Sequence, residues 1–402
     1  PEGFEMKSQM KKKSEAQKTR QKDFMARLLE DVAVEWKPLG EVAELKRGKT
    51  ITAKTKTAGD IPVISGGQSP AYYNAEFNRD GETITVAGSG AYAGFVMYWN
   101  EPIFVSDAFS VKPDLAVLST RYVFHSLLNN QAWIHNLQKG SGVPHVYPKD
   151  LAQLQIPIPC PDNPEKSLKI QTEIVRILDT FTELTAELTA ELTARKKQYT
   201  YYRDQLLTFE EGEVEWKPLG EVAKFTNGKG HEQDITANGR YIVVNSKFIS
   251  TNGQVAKFSN KQICPLFTND ILIVMSDLPN GKALSKTFIV DENDRFTLNQ
   301  RIGGITVNDT KQISPKFLYY FLNRTPQLTK FDNGVDQTNL RKDQILSVQI
   351  PIISLVEQNR IVDILDKFDD LTNSITEGLP REIELRQKQY DYYCNMLLTF
   401  PK

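Results

Sequence analysis

Apolar residues recur at a helical period over a long central stretch of the chain. Between residues 170 and 209 they lie three or four positions apart, with one step of seven, and no Gly or Pro interrupts them. The positions are Ile170, Ile174, Ile177, Phe181, Leu184, Leu188, Leu192, Tyr199, Tyr202 and Leu206. This spacing places them on one face of a helix. At about 1.5 Å per residue the helix would be roughly 60 Å long, and so long an apolar stripe needs a long partner.

The end of the chain supplies that partner. Residues 358–400 contain IVDILDKFDDLT and RQKQYDYYCNMLLTF, where the central stretch has IVRILDTFTELT and RKKQYTYYRDQLLTF. Gly378 and Pro380 interrupt the second stripe, which predicts a kink or a short break there. We therefore expect two long helices packed antiparallel as a coiled coil. Two ordinary core helices in separate domains remain an alternative, although they would not explain why the whole stretch is duplicated.

The segments before the two helices are also duplicated. VEWKPLGEVA occurs at Val34–Ala43 and again at Val214–Ala223, and KDLAQLQIPIP has a counterpart in KDQILSVQIPII. The chain therefore reads as a pseudo-twofold internal repeat in which each half has one globular head and one long helix. The predicted segments are a basic N-terminal extension at 1–24, a first head at 25–159, a central helix at 160–211, a second head at 212–353 and a C-terminal helix at 354–402.

The interiors of the two heads differ from each other. Strand-like runs such as TITVAG and IFVSDAFSVKP in the first head, and RYIVVNS and ILIVMSD in the second, are bounded by Gly, Pro and Asn. VLSTRYVFHSLLNNQAWIHNLQ and PKFLYYFLNRT have helical character. We predict the fold class α+β, with two mixed α/β heads separated and joined by the two long helices. Similar scaffolds with different interiors indicate that each head recognises something different.

Composition narrows the possible functions. The chain has 49 Lys and Arg against 50 Asp and Glu, a net charge of −1, so any nucleic-acid contact must come from a local patch or from partner chains. Cys160, Cys264 and Cys394 are too far apart in the sequence to suggest a disulfide framework or a zinc site, and they suit a reducing cytosol. No run of about 18 apolar residues predicts a membrane span, and no apolar signal core predicts export. The basic residues of 1–24 fit either a disordered tail or an arm that contacts DNA phosphates.

No motif for catalysis or metal binding is complete. Gly48-Lys49-Thr50 has Ala43 where a phosphate-binding loop needs Gly, and the Gly-rich run at 88–94 leads into the strand-like FVMYW rather than into a helix. We interpret that run as a tight turn or bulge. The four His do not cluster with Cys, and neither a nucleophile elbow nor a zinc-protease motif occurs. We predict a non-enzyme with no metal site and no cofactor of its own.

Polar and Gly-rich loops in both heads carry the side chains that read base edges, because Arg and Lys suit guanine while Asn and Gln suit adenine. The candidate DNA-contacting residues of the first head are Arg47, Lys49, Lys54, Gln68, Ser69, Tyr72, Tyr73, Lys139, Ser141 and His145. Those of the second head are Lys229, His231, Gln233, Asn245, Lys247, Gln300, Arg301, Gln337, Asn339 and Arg341. Each residue taken alone is better explained as an ordinary solvated loop residue, and the prediction of DNA contact rests on the two sets together.

The repeated WKPLGEVA, the IPIP and IPII strands, and the helix ELTAELTAELTARKKQYTYYRDQLL resemble the specificity subunit of type I restriction–modification systems. The tandem TAEL resembles the type IC subfamily. The resemblance covers about residues 25 to 402 and leaves the first 24 outside it. It implies that each head is a target-recognition domain reading one half of a split DNA site in the major groove, and that the helices set the distance between the half-sites.

The resemblance also implies partners. Two methyltransferase subunits that carry S-adenosylmethionine and methylate adenine would bind the helices and frames, and two restriction subunits would add translocation and cleavage driven by ATP with Mg²⁺. This chain would supply none of those catalytic residues and would act in the bacterial cytoplasm without membrane contact. A two-headed coiled-coil adaptor for protein or carbohydrate is the main alternative, and a stand-alone enzyme is a weaker one.

The TAEL repeat suggests a ruler for the spacer between the half-sites. Each four-residue repeat adds roughly 6 Å and a net rotation of about 40° to a helix. One base pair of B-DNA adds about 3.4 Å and roughly 34–36°. We therefore predict that Thr185, Leu188, Thr189 and Leu192, which begin and end the two repeats, belong to a segment whose length sets the unread spacer at about one base pair per repeat.

Overall fold

A computed structural model describes residues 29–30, 32–52, 54–210, 212–279, 281–374 and 377–400. The predicted basic extension at 1–24 lies outside these residues. The chain divides into two compact units, one made of residues up to 189 together with those from 382 onward, the other of residues 190–381. Each unit therefore combines one head with parts of the long helices.

Within its described residues, the first head contains nine strands, four short helices and two main sheets. Its strands are β1 (Val34–Pro38), β2 (Ala43–Arg47), β3 (Ile61–Ile64), β4 (Tyr72–Asn74), β5 (Glu82–Ala87), β6 (Val96–Asn100), β7 (Phe104–Val105), β8 (Ala108–Pro113) and β9 (Gln155–Pro159). Its helices are α1 (Leu39–Val42), α2 (Thr120–Asn129), α3 (Gln131–Asn136) and α4 (Pro148–Leu151). One sheet has the order β2-β8-β5-β6 and is antiparallel, while the other has the order β4-β3-β7, with β3 and β7 parallel.

The WKP segment of the repeat forms a strand that closes the head. β1 pairs antiparallel with β9, so Trp36 lies opposite Pro157 and the first and last strands of the head meet. Pro38 then starts the one-turn helix α1, whose Leu39 is fully buried. The repeated sequence therefore brings the ends of the head together beside the start of the next helix.

The central helix α5 spans Pro164–Leu206 and is 43 residues long. Asn163 begins it by accepting a hydrogen bond from the N–H of Lys166 at 3.0 Å, and Pro164 suits the first helical position because that residue needs no N–H partner. The buried residues of α5 end at Phe181. Beyond Phe181 the TAEL segment has no fully buried residue; Leu188 and Leu192 are half-buried, and Thr189 is exposed.

The second head repeats this plan, with twelve strands in the part that the structure describes. They are β10 (Glu215–Pro218), β11 (Ala223–Asn227), β12 (Ile235–Thr236), β13 (Tyr241–Val244), β14 (Lys257–Ser259), β15 (Ile271–Val274), β16 (Ser276–Asp277), β17 (Thr287–Ile289), β18 (Phe296–Leu298), β19 (Ile302–Val307), β20 (Thr338–Asn339) and β21 (Gln349–Ile352). Its helices are α6 (Leu219–Val222), a 3₁₀ turn at Glu232–Asp234, α7 (Ser246–Ser250), α8 (Pro315–Leu322), α9 (Pro326–Thr329) and α10 (Lys342–Leu346). The sheet order β11-β19-β15-β17 corresponds to β2-β8-β5-β6, while β12-β14-β13-β18 forms a second sheet and β16 pairs with β20.

The C-terminal stretch forms two helices rather than one. α11 spans Leu355–Asn373 and α12 spans Gly378–Leu398, so the interruption expected at Gly378 and Pro380 is confirmed. Gly378 has a φ of +74°, and a Cβ there would lie 2.4 Å from the Asp370 carbonyl oxygen, which explains why glycine stands at the start of α12.

Aromatic residues of the long helices pack against each other within each unit. In the first unit Phe181 of α5 stacks on Tyr393 of α12, and in the second unit Tyr202 of α5 stacks on Phe368 of α11. Each unit therefore contains one stacked aromatic contact between α5 and a C-terminal helix. The predicted fold class, two mixed α/β heads joined by long helices in an internal repeat, is confirmed.

Candidate nucleic-acid interface

In the first head, the end of β2 crosses a neighbouring turn closely enough to require glycine. The N–H of Gly48 donates to the carbonyl of Ala108 at 2.9 Å, and that of Lys49 donates to Val105 at 2.9 Å. A Cβ on Gly48 would lie 2.2 Å from the Ser106 carbonyl oxygen, so no other residue fits there without moving backbone. The crossing holds Lys49 at the exposed end of the sheet. Gly48-Lys49 therefore ends a strand rather than cradling a phosphate before a helix.

Four further loops meet at this end of the sheet. The N–H of Gly90 donates to Pro144 at 3.0 Å, the N–H of Val146 donates to Gly88 at 3.1 Å, and His145 forms bridges with both Ser89 and Lys139. We define loop cluster 1 as residues 47–51, 66–69, 88–92, 105–107 and 139–147. The run at 88–94 is a tight turn between β5 and β6, as predicted.

Aromatic and basic side chains combine within loop cluster 1. The guanidinium of Arg47 lies 5.5 Å from the ring centroid of Tyr147, and His145 stacks on the same ring with centroids 6.0 Å apart. Arg47, His145 and Tyr147 line a cavity of about 140 Å³. Lys139 is exposed and forms an ion pair with Asp150 at 2.8 Å. This end of the head offers cations and stacking surfaces to an anionic, aromatic ligand.

The other predicted residues of the first head have three kinds of placement. Lys49, Gln68, Ser69 and Ser141 are exposed in loop cluster 1. The Tyr72 hydroxyl donates to the carbonyl of Ile51 at 2.6 Å, which ties β4 to that cluster. Tyr73 lies on β4 and is 53% exposed, and Lys54 lies in the exposed turn after residue 52. The structure thus brings most, but not all, of the predicted set together.

The second head has the same crossing at the end of β11. The N–H of Gly228 donates to Ile302 at 3.1 Å and that of Lys229 donates to Leu298 at 3.1 Å. A Cβ on Gly228 would lie 1.8 Å from the Asn299 carbonyl oxygen. Gly228-Lys229 therefore occupies the same structural position as Gly48-Lys49.

Five loops converge there to form a second surface. Gln300 donates its N–H to Lys229 at 3.0 Å, Asn299 donates to Val244 at 3.2 Å, and Leu340 donates to Met275 at 2.7 Å. We define loop cluster 2 as residues 227–233, 244–247, 275–278, 298–301 and 337–341. Its exposed members include Lys229, Gln233, Lys247, Gln300, Arg301, Gln337, Asn339 and Arg341, all of which were predicted.

Several side chains of loop cluster 2 have defined partners. Gln300 hydrogen-bonds Glu232, the amide of Gln337 donates to the Ser276 hydroxyl at 2.8 Å, and Arg341 lies 3.4 Å from Asp343. Arg301 has a φ of +66°, a strained conformation for a non-glycine residue that commonly marks functional loops.

Two predicted residues have structural roles in this conformation. His231 is only 1% exposed; its Nδ1 lies 2.8 Å from the Lys229 carbonyl and its Nε2 lies 2.9 Å from the Thr297 hydroxyl. Its ring therefore supports the loop and presents no edge to a ligand. Asn245 begins α7 by accepting the N–H of Phe248 at 2.9 Å, so its side-chain oxygen is already used.

The residues that hold each head on its long helix were not predicted from the sequence. In the first unit, buried Gln171 of α5 accepts the N–H of Ser119 at 2.9 Å and donates to the Val117 carbonyl at 2.8 Å. In the second unit, buried Gln358 of α11 accepts the N–H of Ser314 at 2.7 Å and donates to the Gln312 carbonyl at 2.8 Å. The signal was present, because a Gln precedes IVRILD and IVDILD by three residues in both repeats.

An aspartate two turns further along α5 adds a charged contact in the first unit. His125, fully buried, lies 2.7 Å from Asp179 through Nε2 and 2.9 Å from the Tyr390 hydroxyl through Nδ1, while Arg121 also binds Asp179. Burial lowers the pKa of His125 despite the nearby carboxylate. Burial alone would raise the pKa of Asp179, but the hydrogen bonds from His125 and Arg121 outweigh it and lower that pKa. The neutral imidazole therefore donates to an ionised carboxylate.

The second unit repeats this contact with different residues. The Tyr320 hydroxyl donates to Asp366 at 2.6 Å, and Lys316 pairs with the other oxygen of the same carboxylate at 2.6 Å. Asp366 corresponds to Asp179 in the helix repeat, as Lys316 does to Arg121. Both heads are thus fixed to a long helix by a buried glutamine and a carboxylate.

Other kinds of site are not found in the part of the chain that the structure describes. Among those residues no group of three or more His, Cys, Asp or Glu is arranged to hold a metal ion. Within the same described ranges, no helix combines the length and apolar character needed to cross a membrane.

Comparison with known proteins decides the family. The description "Type I restriction modification DNA specificity domain" matches residues 32–195 and again 211–385. The chain belongs to the type I restriction–modification DNA specificity family. The EcoR124I/EcoR124II specificity subunit of Escherichia coli is 37% identical over 411 residues, covering 94% of this chain and 97% of that protein. A putative type I restriction enzyme specificity subunit of Haemophilus influenzae is 33% identical, covering 94% and 98%.

The fold agrees with a solved member of this family. The crystal structure of the type I restriction–modification S subunit from M. genitalium matches with a TM-score of 0.61 and 18% identity, covering 93% of this chain and 97% of that one. Specificity subunits are the non-catalytic components of type I systems, so the prediction that the chain is not an enzyme is confirmed by its family membership. The adaptor alternative is not favoured.

Proposed function

We propose that loop clusters 1 and 2 each read one half of a bipartite DNA site. The observation that carries this proposal is the duplicated glycine crossing, at Gly48 and Gly228, which presents a lysine at the same sheet end of both heads. The surrounding side chains differ between the clusters. A common scaffold with different side chains supports recognition of two different base sequences.

Within each cluster the roles divide by chemistry. Lys49 and Lys229 extend from fixed backbone positions and suit phosphate contacts, which position a protein without reading sequence. Exposed guanidinium groups and exposed amides suit base edges. Gln68 in the first head and Asn339 in the second are examples of exposed amides. His231 is buried, so we propose neither a phosphate contact nor a base contact for it.

The test uses the full chain together with its methyltransferase subunit. Gln68→Ala with Ser69→Ala should relax base preference in one half-site, and Gln337→Ala with Asn339→Ala in the other, each at roughly 1–3 kcal/mol per lost base contact. Lys112→Gln, an exposed charge on β8 outside loop cluster 1, serves as the control. If either double variant changes the base preference of both half-sites equally, or changes the base preference of neither, the assignment of one half-site to each head is wrong.

The assembly proposal is that two methyltransferase subunits bind this chain and two restriction–translocase subunits join them. The helix repeat supports two copies of one partner, because Tyr201 and Tyr392 occupy equivalent positions and remain 58% and 51% exposed. Exposed tyrosines are common anchors at protein interfaces. S-adenosylmethionine, ATP and Mg²⁺ would bind those partners, this chain would hold no cofactor, and the complex would act in the bacterial cytoplasm.

The mass of the complex tests this stoichiometry. With excess methyltransferase subunit, the wild-type chain should form a complex of two partners to one chain. Tyr201→Ala and Tyr392→Ala, made singly, should each weaken the binding of one copy and leave a one-to-one complex at limiting concentration. A wild-type complex that never exceeds one partner per chain contradicts the proposal.

A further inference from the structure

Both heads are attached to a long helix by the same polar contacts, although the heads themselves have diverged. Gln171 and Gln358 each bind one backbone N–H and one carbonyl at the start of a head helix, α2 and α8. Both glutamine side chains are fully buried. A pair of opposed hydrogen bonds fixes direction as well as distance, which apolar packing alone does not.

A second contact in each unit lies two turns further along the helix. In the first unit the Asp179 carboxylate accepts hydrogen bonds from Arg121 and His125. In the second unit the Asp366 carboxylate accepts hydrogen bonds from Lys316 and Tyr320. Two attachment points separated along one helix prevent the head from rotating about either of them. The partners changed between the repeats while the glutamine and the aspartate stayed the same, so the geometry of attachment is what the two halves share.

We propose that Gln171, Asp179, Gln358 and Asp366 are positioning residues that fix the angle of each head on its helix and thereby determine which spacing between half-sites is accepted. This rests on the proposed function, because an angle matters only if both heads must engage one duplex. A head that rocks on its helix presents its loops over a range of positions along the groove, so it tolerates spacers that a fixed head rejects.

The experiment measures methylation of DNA that carries both half-sites at spacers from two base pairs shorter to two longer. The enzyme is the complex of the full chain with its methyltransferase subunit. The variants are Gln171→Leu and Gln358→Leu, which remove the paired hydrogen bonds, and the isosteric Asp179→Asn and Asp366→Asn, which remove the charge. For each variant, the rate at the native spacer divided by the rate at one base pair more or less should fall roughly 5- to 10-fold, as expected for losing a hydrogen bond that holds one geometry. The bases preferred within each half-site should not change.

Matched controls separate positioning from stability. Ile84→Val and Ile271→Val remove one methyl group from the fully buried core of each head without touching the attachment contacts. They should lower the melting temperature and leave the spacer ratio unchanged. If they lower the ratio as much as the glutamine variants do, the attachment contacts act only through stability and the proposal is overturned.

The remaining outcomes are also decisive. Spacer ratios equal to wild type in folded Gln171→Leu or Gln358→Leu overturn the proposal, and if those variants do not fold, a wild-type ratio in both asparagine variants does the same. Failure of the proposed function looks different, because the wild-type complex itself would then methylate without dependence on either half-site.

Discussion

Phe181 and Tyr393 stack with ring centroids 4.9 Å apart and planes 23° from parallel. In the second unit Phe368 and Tyr202, their equivalents in the helix repeat, stack at 5.7 Å and 28°. The same aromatic pair thus joins the helices of each unit, with the phenylalanine and the tyrosine exchanged between the central and C-terminal segments. Residues at equivalent positions of the internal sequence repeat therefore also make equivalent contacts.

We expect that the TAEL segment can change length without disturbing the core of either head. No residue from 182 to 198 is fully buried, and the Thr189 hydroxyl bonds back to the Thr185 carbonyl at 2.7 Å within the same helix. Deleting 189–192 should shorten the accepted spacer by about one base pair, since four residues rotate a helix by a net ~40°. Methylation of a spacer library reports the result.

A two-residue deletion is the matched control for that prediction. Removing only 189–190 rotates the following helix by about 200°, so it should abolish methylation at every spacer while the four-residue deletion retains activity. An unchanged spacer after deletion of 189–192 contradicts the ruler hypothesis.

The glycines at the two crossings should not tolerate a side chain. Gly48→Ala and Gly228→Ala place a Cβ 2.2 Å and 1.8 Å from a backbone carbonyl oxygen, so each should lower the free energy of unfolding by about 1–3 kcal/mol. Gly142→Ala is the control, because a Cβ there meets nothing within 4 Å. Thermal or urea unfolding measures all three, and equal stability of Gly48→Ala and Gly142→Ala would show that the crossing is looser than described.

Lys49 and Lys229 should contribute to DNA affinity without contributing to base preference. Replacing either with Gln should weaken binding of all sequences alike and reduce the slope of log K against log salt by about 1. Binding titrations of the methyltransferase complex at several salt concentrations give that slope. A substitution that changes base preference instead would place the lysine against a base edge.

Acid should destabilise the first unit through His125. Burial lowers the pKa of His125 below its ordinary value of 6.5, so as pH falls past 6.5 the unfolded chain takes up a proton that the folded chain does not, and the free energy of unfolding decreases. The lowered pKa of Asp179 acts in the same direction, but only below about 3.8.

The test compares wild type with His125→Gln at pH 7.5 and pH 5.5. The variant should be less stable at pH 7.5, because it loses buried hydrogen bonds, yet it should lose less further stability on acidification than wild type does. The second unit has Tyr320 at the equivalent position, so Tyr320→Phe should leave the acid-induced loss unchanged. Identical pH dependence in wild type and His125→Gln would contradict the assigned pKa direction.

The architecture could be predicted from the sequence because the internal repeat and the helical periodicity of apolar residues are both visible in it. The strands around TITVAG and ILIVMSD and the break at Gly378 follow from local patterns that the fold preserves. The role of Gly48 did not follow, since the close approach of the Ser106 carbonyl depends on which strands become neighbours.

The site was harder to predict than the fold. His231 carries the right chemistry for DNA contact, but the bonds to Lys229 and Thr297 that bury it are tertiary. Gln171 was visible only as one more polar residue on a helix until the structure placed Ser119 against it. Whether the exposed residues of the loop clusters touch DNA stays a prediction.

We infer that this chain chooses the DNA sequence that its complex modifies. The most direct measurement is a genome-wide map of methylated adenine in a host expressing the chain with its methyltransferase subunit, compared with the same host expressing the methyltransferase subunit alone. We expect a two-part motif with one fixed gap that is methylated only when this chain is present. Identical maps in the two hosts, with both proteins expressed, would contradict it.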